Sequence, residues 1–159
     1  MPESVPDLPD ALRRALRTTH PALASAPLQP LPDAGLAHRH VRLRGTPWLA
    51  RVPKQSQMGL APMDNLAYQR ACFERAAPSG HTPRLFDALA PAPGLPLGAL
   101  LVEAIEGRPA RLPADALPIA RALAALHRLP PPAAPAPLRH ARPSTRNGRA
   151  CRACCKPTR

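Results

Sequence analysis

Lys54 closes a run, Val41 to Lys54, in which residue types and spacing together suggest chemistry. Val41 and Leu43 alternate with Arg42 and Arg44, Arg44-Gly45-Thr46-Pro47 has the composition of a turn, and Trp48 to Val52 resumes an extended pattern. A period of two places Trp48, Ala50, Val52 and Lys54 on one face and Leu49, Arg51 and Pro53 on the other. A lysine at the end of such a strand is either a solvated strand end or a point charge for phosphate, and the spacing alone leaves both readings open.

A second group that could do chemistry is Cys151, Cys154 and Cys155 with His140, four soft ligands near the C-terminus. Cys-x-x-Cys-Cys has no second, separated pair and no apolar pattern around it, which argues against a structural zinc site. Residues 138 to 159 hold six arginines, one lysine and no acid. That segment supplies most of the formal net charge of +12, leaving 15 basic and 10 acidic residues, about +5, over residues 1–137, an ordinary balance. A basic arm without aromatic residues gives phosphates no sequence-specific reader, so a specific nucleic-acid function is not expected. The composition of the segment is also what GC-rich DNA yields when translated in a shifted frame. The alternative to that origin is an arm that binds metal or acidic partners.

The elements that must position these groups follow from apolar periodicity. Asp10 to Thr19 reads as a helix with Leu12, Ala15 and Leu16 on one face and Asp10 as its cap. Leu28 to Leu31 reads as an edge strand because of Pro30 and Pro32, and His38 to Leu43 and Trp48 onward as the next two strands. A helix capped by Asp64 or Asn65 runs to Ala77, a strand lies around Arg84 to Ala88, and Gly98 to Ile105 is a continuous apolar run suited to a buried central strand. Asp115 to Leu129 is an amphipathic helix halted by Pro130-Pro131-Pro132. The expected fold class is α+β, a five-stranded antiparallel sheet with one helix packed on it. No run of eighteen apolar residues exists, and the start MPESVPDLPD is acidic and proline-rich, so a cytoplasmic protein with no membrane partner is expected.

The order of these motifs resembles the N-terminal lobe of the aminoglycoside phosphotransferase and choline kinase family, which has a protein-kinase-like fold. The residues that carry the resemblance lie between Pro27 and Pro130: ARVPK on a strand, LLVEAIEGRP, and then ALAALHRLP on a helix. The resemblance implies residues 27–105 as a kinase-like small lobe and 106–130 as hinge and first large-lobe helix, while periodicity and composition make residues 1–26 an N-terminal helix and linker and 131–159 a proline-rich, basic, disordered tail. It implies ATP as cofactor with Mg²⁺, and phosphoryl transfer to the hydroxyl of a small molecule that the sequence does not name. Lys54 takes the place of the phosphate-binding lysine, with Val52 beside it where adenine lies and Gly35 in the loop over the phosphates. The glutamate that holds such a lysine has Gln69 in its place, and Glu74, more than a turn later, reads as a solvated helix carboxylate. The backbone of Glu103, Ala104 and Ile105 takes the place of the hinge that reads adenine.

The catalytic region of that family has no counterpart here. Its members carry a His-x-Asp loop and a metal-binding aspartate, whereas the last acid of this chain is Asp115 and the 44 residues after it have none. Without carboxylates that stretch holds no Mg²⁺ and supplies no carboxylate base, so no catalytic residue and no metal ligand is assigned. The expectation is a truncated or frameshifted phosphotransferase-like chain without turnover, the alternative being a non-catalytic module that binds nucleotide or uses its basic tail. An unpartnered large-lobe face is expected to promote self-association.

Overall fold

The computed structural model describes residues 7–33 and 35–131. The expected tail, with His140, Cys151, Cys154 and Cys155, lies outside the described residues, as does Ala34.

The first helix, α1 (Leu8–Thr19), buries Ala11, Leu12 and Leu16, the stripe that the 3.6-residue period specifies. It begins before Asp10, which lies in the first turn rather than at the cap; Asp7 holds the cap position and Pro9 the start of the helix. His20 breaks the helix because Pro21 disfavours α geometry in the residue before it, and a single turn, α2 (Pro21–Ala24), follows. No periodicity is long enough to announce that turn.

Strands β1 (Leu28–Pro30), β2 (His38–Leu43), β3 (Trp48–Pro53), β4 (Leu85–Leu89) and β5 (Ala99–Glu103) form one antiparallel sheet in the order β1-β2-β3-β5-β4. Pro30 sits in the edge strand, the position where a missing N–H costs least. Between β3 and β4 runs α3 (Pro62–Ala76), and α4 (Ala116–His127) follows β5. Pro62 opens α3 at its first position with Ala61 as the cap residue. Asp64 and Asn65 therefore lie inside the first turn and cap nothing. The fold is α+β, as the sequence leads one to expect.

Strand alternation gives the sheet two different faces. Val41, Leu43, Ala50, Val52, Leu89, Ala99 and Leu101 pack against α1 and α2, while Leu49, Leu85, Ala88, Leu100 and Val102 pack with Leu66 and Phe73 of α3. Strand β5 is buried on both sides, which is why its sequence is an unbroken apolar run. Each of its two leucines contributes roughly 1.5 to 3 kcal/mol by leaving water. In β4 the register shifts between Leu85 and Asp87, so that Leu85 and Ala88 share the α3 face and Leu89 turns to the α1 face.

Helix α3 rests on β4 and β5. The β1–β2–β3 half of the same face is only partly covered next to it.

Candidate functional site

On that partly covered half, β2 and β3 pair Arg42 with Leu49, His40 with Arg51 and His38 with Pro53. Leu49 and Arg51, two positions apart, present their side chains on the face that α3 flanks, so successive rungs carry an apolar contact and then a charge. A groove of about 330 Å³ lies at the Leu49 rung, bounded by Gln29, Leu31, Arg42, Arg44, Ala104, Ile105 and Glu106. A second cavity of about 160 Å³ lies beyond the Arg51 rung, where β2, β3 and the segment after β3 meet α3. Asn65, Tyr68, Gln69 and Cys72 reach it from α3 at the i, i+3, i+4, i+7 spacing of one helix stripe, opposite His38, Arg51, Gln55, Gln57 and Met58.

Arg51 organises this cavity. Its Nη2 donates to Nδ1 of His38 at 3.2 Å, and its guanidinium carbon lies 5.4 Å from the centroid of the Phe73 ring. Nδ1 is thereby an acceptor, so the His38 proton sits on Nε2 and is donated to Oε1 of Gln69 at 3.2 Å. Burial, reinforced by the positive charge of Arg51, pulls the pKa of His38 below its ordinary value, with the Gln69 hydrogen bond acting in the opposite direction. Burial likewise lowers the pKa of Arg51, against an opposing effect of Cys72. Among the described residues no carboxylate pairs with Arg51. A half-buried guanidinium with five donors and, among the described residues, one hydrogen-bond acceptor is poised for an anion.

The residues singled out from sequence fall in several places. Lys54 lies one residue beyond β3, its N–H donating to the Ala37 carbonyl at 2.9 Å and its Nζ to the Asp33 carboxylate and the Gly35 carbonyl. It is tied to the loop between β1 and β2, and among the described residues no hydrogen bond joins it to Gln69. Gly35 meets Lys54 through that carbonyl. Val52 does share a face with Trp48 and Ala50, but the face is the one covered by α1, and Val52 is 4% exposed with no space beside it for a base. Gln69 faces the cavity as its position in α3 suggests, with His38 and Arg51 rather than Lys54 across from it. Glu74 pairs with Arg70 at 2.7 Å on the exposed side of the helix, the solvated carboxylate of the plainer reading.

Glu103 ends β5 and donates its N–H to the Arg84 carbonyl at 2.8 Å, and Ala104 donates to the Pro47 carbonyl at 2.8 Å. Both amides are spent inside the fold. Ile105, 66% exposed and bordering the Leu49 groove, is the first position of the three with no such partner.

Arg51, Leu49 and His38 were not among the residues the sequence put forward. The alternation that sends Val52 inward also sends Leu49 and Arg51 outward, so the strand's parity carries the signal, which only the covering of the opposite face by α1 makes readable. Asn65, Tyr68 and Cys72 share a helix stripe with Gln69, but polar residues at that spacing read as a solvated face until a sheet is known to lie opposite.

Among the described residues no three His, Cys, Asp or Glu side chains come together to hold a metal ion, and no helix is long and apolar enough to cross a membrane. No protein-family model matches the sequence, and neither a curated protein nor a solved structure matches the chain.

Proposed function

We propose that the partly covered β1–β2–β3 half of this face is a nucleotide site, and that the chain is a small lobe of the aminoglycoside phosphotransferase-like kind which binds ATP without turning it over. The observation that carries this reading is the half-buried Arg51 guanidinium, free of any carboxylate among the described residues and one rung from the apolar groove at Leu49. A base lies between Leu31, Leu49 and Ile105, and the phosphates extend along β3 to Arg51, a step of about 7 Å for two strand residues. Arg42 and Arg44 at the groove add positive charge toward the same anion. Nothing on this face fits Mg²⁺, since the described acids there do not cluster. With no catalytic carboxylate assigned among the described residues, the chain on its own holds nucleotide and leaves transfer undone. A cytoplasmic location, where ATP is abundant, accords with this role.

Titration of the full chain with a fluorescent ATP analogue at low salt tests the reading. Charge-assisted hydrogen bonds contribute about 1.5 to 3 kcal/mol, so Arg51→Ala weakens binding by about tenfold or more. Lys54→Ala, which removes a contact to the β1–β2 loop only, changes it by less than about twofold. Loss of binding in Lys54→Ala with Arg51→Ala unaffected overturns the assignment, and absence of binding by the parent chain overturns the function.

A further inference from the structure

The cavity between β3 and α3 contains a thiol that the nucleotide reading does not use. Cys72 is half-buried and lines the same space as Arg51. One helical turn earlier Tyr68 lines the same space, its pKa raised first by its electrostatic interaction with Cys72 and then by burial. On the same stripe, Asn65 lines the cavity and is 3% exposed; its side chain makes no hydrogen bond within the described residues, and its Nδ2 is fully buried without a partner. An amide left unpaired in a polar cavity costs about 1 to 3 kcal/mol. It and the Arg51 guanidinium, which has no carboxylate partner among the described residues, suit the cavity to a polar, acidic group.

We propose that this cavity is a covalent modification site, at which Cys72 forms a mixed disulfide with a small carboxylate-bearing disulfide whose acidic group is held by Arg51. The Cys72 thiol gives its proton to solvent, the thiolate sulfur attacks one sulfur of the incoming disulfide, a new S–S bond forms as the old one breaks, and the departing thiolate takes up a proton from water. Cys72 is oxidised and one half of the reagent is reduced, so no other oxidant enters. The carboxylate selects among disulfides because a guanidinium in a partly desolvated pocket attracts an anion and repels a cation. Modification places an acidic arm on Arg51. Under the nucleotide reading this displaces phosphate, but the modification itself is read by mass and holds whether or not ATP binds.

The test uses the full chain with Cys151, Cys154 and Cys155 changed to serine, so that Cys72 is its one thiol. Intact-protein mass spectrometry follows its reaction with glutathione disulfide (acidic), 2-hydroxyethyl disulfide (neutral) and cystamine (cationic), each rate divided by that of a short exposed cysteine peptide. The acidic reagent is expected to be favoured over the neutral one by about tenfold and the cationic one to be slowest. Arg51→Gln removes the order and Arg51→Lys keeps it. Because Arg51→Gln also frees His38 and can loosen the fold, the same order is measured on the parent at rising salt, where it collapses by about 1 M. Equal relative rates for the three reagents, an order that survives Arg51→Gln in a folded protein, or an order indifferent to salt each overturn the proposal.

Discussion

Arg51 and His38 are joined by a 3.2 Å hydrogen bond in which the guanidinium donates and Nδ1 accepts. The contact couples β3 to β2 and fixes His38 as a neutral ring, since a proton on Nδ1 would break the bond and set two positive groups against each other. His40, the residue paired directly with Arg51, is also pulled below its ordinary pKa, first by burial and then by Arg51, with Asp33 opposing.

The pH dependence follows from those two shifts. In the unfolded chain each histidine takes up a proton near about pH 6.5, and in the folded chain it does so only at lower pH. The unfolded state therefore binds more protons in that window, so stability is fully present above about pH 6.5 and is lost as pH falls through the lowered folded values. Urea midpoints measured between about pH 7.5 and 5.5 are expected to fall, and His38→Gln is expected to flatten part of the fall. A midpoint constant over that range, or rising toward acid, contradicts the assigned tautomer.

Much of the sheet was legible because its residues carry strong local signals. The boundaries of β2 are those its alternation specifies, and β5 stands out as an apolar run flanked by Gly98 and Glu106. What the chain conceals is which face of the sheet each helix takes. Ala50, Val52 and Lys54 share a parity in the sequence, yet α1 covers the first two and the strand ends before the third. Only the position of α1, a non-local fact, turns Val52 into core and leaves Arg51 on the partly covered face. The bulge in β4 is equally silent, because its consequence, the inward turn of Leu89, depends on pairing with β5 rather than on the sequence of β4 itself.

The approach of β4 to β5 makes Gly98 the least replaceable glycine in this region. Its φ is +69°, and a Cβ placed there would stand 2.4 Å from the Leu89 carbonyl oxygen and 3.3 Å from both Leu66 methyl groups. Gly59 has a similar φ of +63° but open space around it. The left-handed conformation alone costs alanine about 1 kcal/mol, and a clash with backbone adds strain of about 1 to 3 kcal/mol. Gly98→Ala is expected to lower stability by roughly 2 to 4 kcal/mol in urea denaturation, and Gly59→Ala by only about 1 kcal/mol. Equal losses in the two variants contradict the close packing of Gly98 against Leu89 and Leu66.

Helix α4 is the element with least to hold it. None of its residues is buried, Leu117 and Leu123 are 59% and 49% exposed, and it touches the rest of the chain chiefly at the short turn formed by residues 77–79. Arg75 donates to the Pro130 carbonyl at 3.2 Å, and the Arg108–Asp115 pair that steadies its start is an exposed contact of small net worth. By contrast β5 has hydrogen-bonded neighbours on both sides and apolar cover on both faces, so its amides open only with the whole sheet. Local opening of α4 forfeits almost no buried apolar surface, and each 1.4 kcal/mol of difference is a factor of about ten in opening. Its amides are therefore expected to exchange at least about a hundredfold faster than those of Leu100 to Val102, with the chain tending to associate through Leu117, Ile119 and Leu123 as concentration rises. Hydrogen exchange at low and high protein concentration separates the two effects: protection of α4 should grow with concentration while that of β5 stays fixed. Equal protection of α4 and β5 in a dilute monomer would show that the helix is held by contacts the exposed leucines do not suggest.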